Sequence, residues 1–532
     1  MNGFVIGFNA MLSILLLAAS SLGPICSYNW LQFGGGPQHT GSNAEEKLID
    51  VGNVSHLKQL FQVSLATSID GPLAYVSGVM TANGVKDVLY GATWAGGIIA
   101  FDAHTGAQVW AKQAFTGTCK ILGTPYDCIV HSAAAVDPNL LYVYAYSLDG
   151  KVHKYQIGDG TEVIDSSWPE VGTIKPDLEK QSASLVFARA ADGHTYLYVP
   201  FASYGGDWGE YQGHIVVINL DTGAQKVFNM VCSDQTVHFT YAPNSPDCPD
   251  IQASVWGRAS LVYLPALDKI FMTTANGVYD PAKHDWGSSV IALNPDGSGA
   301  NGDPLDSYTP ANYAYLNNFD IDLGSMAPAI LPVPSTSAVP YLALQGGKDG
   351  KLRLLNLADL SGQGGPDHLG GEIGTVVDIP ISDPDTGESE IRTAPVVWTN
   401  PADGSTWVFI SNDYGICAFK LVFDSGGQPD LSLQWKNLTY INNSSPAMAN
   451  GVLYMASMVD VTHGLIRALN PLTGDTLWSD NTIGTIHWSV PVVDNGVLYI
   501  SDENNHLTAY AMDGIAPQVG QCYYSFLSRV LN

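Results

Sequence analysis

The sequence predicts an all-β fold, an eight-bladed β-propeller of four-stranded antiparallel blades. Three observations predict it: a turn motif that recurs along the chain, a second series of small-residue segments that counts to eight, and a composition rich in turn and strand formers. Gly (55), Pro (30), Tyr (26) and Trp (12) are frequent, while long helical patterns are absent.

The turn motif comes first. Residues 100–110 read AFDAHTGAQVW, 216–228 VVINLDTGAQKVF, 290–297 VIALNPDG and 467–478 RALNPLTGDTLW. Each is a short strand, then Asn or Asp, then a T-G or D-G turn, and the fuller copies continue into a strand ending in a large residue. The Asn or Asp side chain hydrogen-bonds the backbone ahead of it, and Gly supplies the positive φ that the turn needs. Degenerate copies occupy 152–163, 352–362, 416–421 and 507–514.

The second series consists of apolar strands opened by small or polar residues. The openings are Asp70-Gly71-Pro72, Ser132-Ala133-Ala134, Ser182-Ala183-Ser184, Arg258-Ala259-Ser260, Met326-Ala327-Pro328, Thr393-Ala394-Pro395, Ser444-Ser445-Pro446 and Ser489-Val490-Pro491. Small residues and Pro suit the innermost strand of a blade, where strands crowd around an axis. The excess over a minimal blade is expected as loops at 164–180, 201–213, 230–255, 298–324 and 361–392. The ring is expected to close through Leu57–Leu65, as a strand of the last blade. A seven-bladed ring is the alternative if one degenerate copy is a loop.

Composition bounds the partners. Fifty acids against 22 bases leave a net charge of −28, which repels nucleic acid and anionic membrane surfaces. The apolar run from Ile6 to Ala19 is short for a membrane span and reads as the core of a signal peptide covering residues 1–27. The expected organisation is one propeller domain over 28–514 and a tail over 515–532, in a secreted, extracellular protein (periplasmic if bacterial), acting as a monomer.

The cysteines agree with export. Cys119 with Cys128 and Cys232 with Cys248 are expected as local staples of Gly/Pro/Asp-rich loops. Cys417 lies in an apolar strand and reads as a buried thiol, and Cys26 and Cys522 remain. Sequons at Asn53, Asn437, Asn442 and Asn443 are candidate glycosylation sites.

The repeat resembles the quinoprotein (PQQ-type) repeat, in which Ala-x-Asp-x-x-Thr-Gly-x-x-x-Trp docks blade against blade. Trp110 and Trp478 hold the Trp position and Phe228 replaces it once. The segments Ala253-Ser254-Val255-Trp256-Gly257-Arg258 and Thr274-Ala275-Asn276-Gly277-Val278-Tyr279 resemble the quinoprotein alcohol dehydrogenases, within them the polyvinyl-alcohol-dehydrogenase-like branch. That resemblance implies Trp256 as the floor under a quinone and Asn276 as a Ca²⁺ ligand; without it they read as inter-blade core and a turn residue. It also implies a catalytic carboxylate at Asp320 or Asp322, with Asp320 near the metal, and a cofactor-contacting lysine at Lys348. The loop 204–213 offers Asp207 or Glu210 as an acidic metal ligand. Arg258, Arg392 and Trp488 are expected around the cofactor, and His131 and His487 along the axis.

The implied activity is oxidation of an alcohol, a small metabolite or polyol, with PQQ and Ca²⁺. The chemistry needs a carboxylate to take the hydroxyl proton and a metal to polarise the quinone. No CxxCH provides a covalent haem, so an external electron acceptor is required. No two cysteines are adjacent, whereas the soluble members of that family carry an adjacent-cysteine disulfide against the cofactor. Two alternatives use the same ring: a non-catalytic binding or scaffold propeller, and a cofactor-independent isomerase, lyase or cyclase acting on a small secreted metabolite.

Overall fold

A computed structural model describes residues 29–235, 248–439 and 442–513. The expected segments 1–27 and 515–532, with Cys26 and Cys522, lie outside these. Among the described residues the strands form eight antiparallel blades, each of four principal strands running outward from the axis. Seven span 74–113, 135–171, 186–229, 261–308, 329–378, 396–437 and 447–480. The eighth joins 492–512 to Leu57–Ser64, whose Leu57 faces Met512 and whose Ser64 faces His506. The N-terminal strand thus closes the ring, as expected, and the seven-bladed alternative falls.

Each small-residue opening leads directly into an innermost strand, and Asp102 and Asn219 accept the amides of residues two and three ahead in their turns. Blades dock through the outer-strand Trp. Trp110 donates to the Ile157 carbonyl at 2.9 Å, Trp435 to Pro471 at 2.8 Å and Trp478 to Leu57 at 3.0 Å. Gly160 and Gly474 lie flat on the Trp110 and Trp435 rings with φ +68° and +76°. A Cβ at Gly160 would come 2.6 Å from a ring carbon, so the turn glycine is needed both for its φ and for the close approach.

Three expectations about loops are corrected. The segments 298–324 and 361–392 are not excess loop alone, because they contain the outer strands Asp306–Tyr308 and Ile373–Asp378 of blades 4 and 5. The segment 164–180 likewise holds the outer strand of blade 2, Glu170–Val171. These strands are short or polar and follow irregular connections, so the motif does not mark them.

The segment from Asn29 to Asn43 threads across the axis. It pairs with Tyr75 and Val76 of blade 1, supplies a carbonyl to Val136 of blade 2 and bonds Phe187 of blade 3 through Gln32. It goes on to meet Tyr263, Val397 and Met448 of blades 4, 6 and 7. Phe33 sits among Ala259, Ala327 and Ala394. The small residues at the strand openings therefore make room for this crossing segment as well as for one another.

Both expected disulfides are present, Cys119–Cys128 and Cys232–Cys248, and Cys417 is a buried free thiol. Asn443 is buried, donating to the Asn412 and Gly415 carbonyls and accepting from Arg467, so its sequon is closed to modification in the fold. Among the described residues no helix is long and apolar enough to cross a membrane.

Candidate functional site

One face of the ring carries a cavity of about 850 Å³. Its named polar lining comes from two kinds of segment. Connections between an outer strand and the next innermost strand supply His131, Lys180, Trp256, Arg258, Asp320, Asp322, Arg392, His487 and Trp488. Turns between second and third strands supply Asp207 and Lys348. Both kinds emerge on the same face of a blade, so residues hundreds apart in sequence converge.

The acidic side is built by blades 4 and 5. The short helix Tyr313–Asn318 leads into Asp320, which adopts φ +56°, and then into Asp322. Asn276 donates from Nδ2 to Asp320 Oδ1 at 2.8 Å and from its backbone amide to Asp322 Oδ1 at 2.9 Å. Lys348 Nζ lies 2.6 Å from Asp322 Oδ2 and 3.4 Å from Asp320 Oδ1. Beneath it, buried Gln345 donates to the carbonyls of Leu323, Met326 and Gly346, which ties the lysine turn to the aspartate segment.

Burial pushes Asp322 up to about 6 against the pull of Lys348. Burial also raises Asp207, which accepts a 2.5 Å hydrogen bond from the Tyr211 hydroxyl and feels the charge of Asp320.

The floor is aromatic. Trp256 and Trp488 meet edge to face at 6.3 Å between centroids. The Arg258 guanidinium covers the Trp488 ring at 3.3 Å, and Lys348 Nζ stands 5.6 Å from the Trp256 ring. Arg258 also donates to the Ser182 carbonyl. Arg392 lines the cavity while pairing with Glu390 and Asp413.

The remaining wall centres on Asp70, which is fully buried. Its Oδ2 accepts from His131 Nδ1 at 2.6 Å and His487 Nδ1 at 3.2 Å, and its Oδ1 accepts from the Trp488 amide. Burial works against the Asp70 charge, but the two imidazoles outweigh it and hold the carboxyl far below its usual range. Burial and the charge of Lys180 pull His131 down to about 3.

The structure thus brings together Trp256, Arg258, Asp320, Asp322, Lys348, Arg392 and Trp488, with Asn276 behind the two aspartates. Glu210 is exposed and outside the cavity lining, since its loop turns outward after Trp208; Asp207 from the same loop faces inward. Sequence reasoning missed Asp70 and Lys180. A loose signal for Lys180 was available: it stands two residues before the Ser182 opening, where His131 and Arg392 stand directly before Ser132 and Thr393.

No family model matches the sequence, and no curated protein matches it. Solved structures do match. A europium-containing methanol dehydrogenase aligns over 91% of this chain and 98% of its own, with a TM-score of 0.62 at 12% identity. A quinohemoprotein alcohol dehydrogenase from Comamonas testosteroni aligns over 95% and 83%, with a TM-score of 0.62 at 14% identity. Another from Pseudomonas putida HK5 aligns over 92% and 81%, with a TM-score of 0.61 at 14% identity. The chain has the eight-bladed propeller fold of the quinoprotein alcohol dehydrogenases.

Proposed function

We propose that this protein is a secreted, quinoprotein-like dehydrogenase that oxidises an alcohol with PQQ and Ca²⁺ in the propeller cavity, passing electrons to an external acceptor. The observation that carries the reading is the convergence of Asn276, Asp320, Asp322 and Lys348 beside the Trp256 ring. Among the described residues Asn276 Oδ1 is buried without a hydrogen-bond partner, next to two carboxylates. Such hard oxygen donors suit Ca²⁺, and Asn276, Asp320 and Asp207 would hold it.

PQQ, when bound, supplies a two-electron acceptor. The Trp256 face offers it a flat apolar floor, and Lys348 and Arg258 offer positive charge. Asp322, pushed toward neutrality, is placed to take the hydroxyl proton, and Lys348 at 2.6 Å steadies the carboxylate form. Two disulfides fit the oxidising exterior this reading requires.

The test is reconstitution. Purified protein is titrated with PQQ and CaCl₂ by calorimetry and absorbance, then assayed on primary alcohols and polyols with an artificial dye. Cofactor binding that requires Ca²⁺ and dye reduction that requires alcohol support the reading; no PQQ binding sinks it. The second reading is a cofactor-independent enzyme, favoured by the imidazole pair on Asp70. Turnover that survives a chelator and needs no acceptor would select it.

A further inference from the structure

Lys180 has no part in the reading above. It is 6% exposed and lines the cavity. The short strand Glu179–Lys180 pairs with Ala202 and Ser203 of blade 3, which anchors its backbone. Its Nζ lies 5.0 Å from the centre of the Tyr204 ring, and among the described residues it has no carboxylate partner. Two charges act on it, Arg258 and Asp70. Arg258 is fixed against Trp488, and Asp70 is already committed to two imidazoles and an amide.

An ammonium buried beside a second cation and without a counter-ion is costly, and the inexpensive form is the free amine. Burial and Arg258 accordingly pull Lys180 down to about 7. Arg258, drawn down to about 9, stays cationic at neutral pH. A free amine in a secluded cavity is a nucleophile toward carbonyl carbon.

His131 lines the same cavity and lies close enough for the Lys180 charge to act on it. His131 gives its Nδ1 proton to the hydrogen bond with Asp70, so its Nε2 carries a lone pair.

We propose that Lys180 is a covalent site for carbonyl compounds, aldehydes or ketones, which it captures as an imine with the Asp70–His131 pair relaying protons. The Nζ lone pair adds to the carbonyl carbon, and the C=O electron pair moves to oxygen. The two amine protons pass in turn through His131 to that oxygen, the C–O bond breaks, the oxygen leaves as water, and a C=N bond remains. No oxidant or reductant takes part, and Tyr204, Trp256 and Trp488 offer apolar surface to the carbonyl substituent. The inference is independent of the alcohol reading, because capture needs neither PQQ nor Ca²⁺.

The experiment uses the full chain without added cofactor, benzaldehyde as probe and cyanoborohydride to reduce any imine at pH 7.5. Modified lysines are mapped by peptide mass spectrometry. Lys180 is expected to be alkylated roughly tenfold faster than exposed lysines such as Lys47 and Lys58. His131→Asn is expected to slow labelling at Lys180 several-fold and to leave the exposed lysines unchanged. Labelling of exposed lysines with none at Lys180 in the wild-type protein overturns the proposal. That arm needs no variant, so a misfolded mutant cannot obscure it.

Discussion

Asn276 donates its side-chain amide to Asp320 at 2.8 Å, while the Asn276 carbonyl oxygen is buried with no hydrogen-bond partner among the described residues. An orphaned buried acceptor costs about 1–3 kcal/mol, and a cation between it and the carboxylates removes that cost. Adding CaCl₂ is therefore expected to raise the thermal midpoint of the wild-type protein, and Asn276→Ala is expected to abolish the rise. Scanning fluorimetry with Ca²⁺ and with Mg²⁺ measures it, and an equal rise in the variant counts against the assignment.

Asp322 supplies a pH signature. As a base it acts when deprotonated, so alcohol oxidation is expected to fall as pH drops through about 6. Asp322→Asn is expected to lower kcat by about 10²–10⁴-fold. Linkage has the opposite sign. The folded carboxyl titrates above the usual 3.8, so its contribution to stability is present at low pH and is lost as pH rises through about 6. Denaturant unfolding between pH 4 and 7 is expected to show that loss in the wild-type protein and less of it in Asp322→Asn.

Phe33 is 4% exposed and packs on three alanines from blades 4, 5 and 6. Phe33→Ala is expected to cost about 3–5 kcal/mol, read as a lower denaturation midpoint. Phe33→Leu, which keeps most of the volume, is expected to cost much less.

The Trp478 indole bonds the Leu57 carbonyl at the seam where blade 7 meets the closing strand. Trp478→Phe keeps the ring and removes the donor, for an expected loss of about 1–3 kcal/mol. Hydrogen exchange is expected to rise first in Leu57–Ser64, because the closing strand is held to its own blade by one neighbour, residues 506–512.

The Cys119–Cys128 staple closes a loop whose residues Ile121, Tyr126 and Asp127 line the cavity. Replacing both cysteines by Ala is expected to cost about 2–3 kcal/mol from loop entropy. Limited proteolysis is expected to cut between residues 119 and 128 in the variant and not in the oxidised protein.

The turn motif and the strand openings were legible because both are local. An Asp or Asn three residues before Thr-Gly, and small residues before an apolar strand, report backbone requirements that a few neighbours impose. The outer strands Asp306–Tyr308 and Ile373–Asp378 were not legible, because their pairing depends on a preceding strand and their own residues carry little pattern. Among the site residues, Trp256, Asn276, Asp320, Asp322 and Lys348 came from a resemblance in order along the chain. Asp70 was read only as part of a strand opening, since nothing in its neighbourhood announces two imidazoles from positions 131 and 487.

By itself, then, the sequence determined the repeat and pointed to eight blades, the closing strand and the two local disulfides: the repeat rests on short-range turn chemistry, the strand on the need to close a ring and the disulfides on cysteine spacing. Only the tertiary structure decided that the segment from Asn29 to Asn43 crosses the axis and that Asp207 rather than Glu210 faces the cavity. It alone buried Lys180 with no carboxylate bonded to it among the described residues. The physical reason is the same in each case: closing the ring sets side by side groups that are far apart in the chain, and their burial and charge are properties of that arrangement.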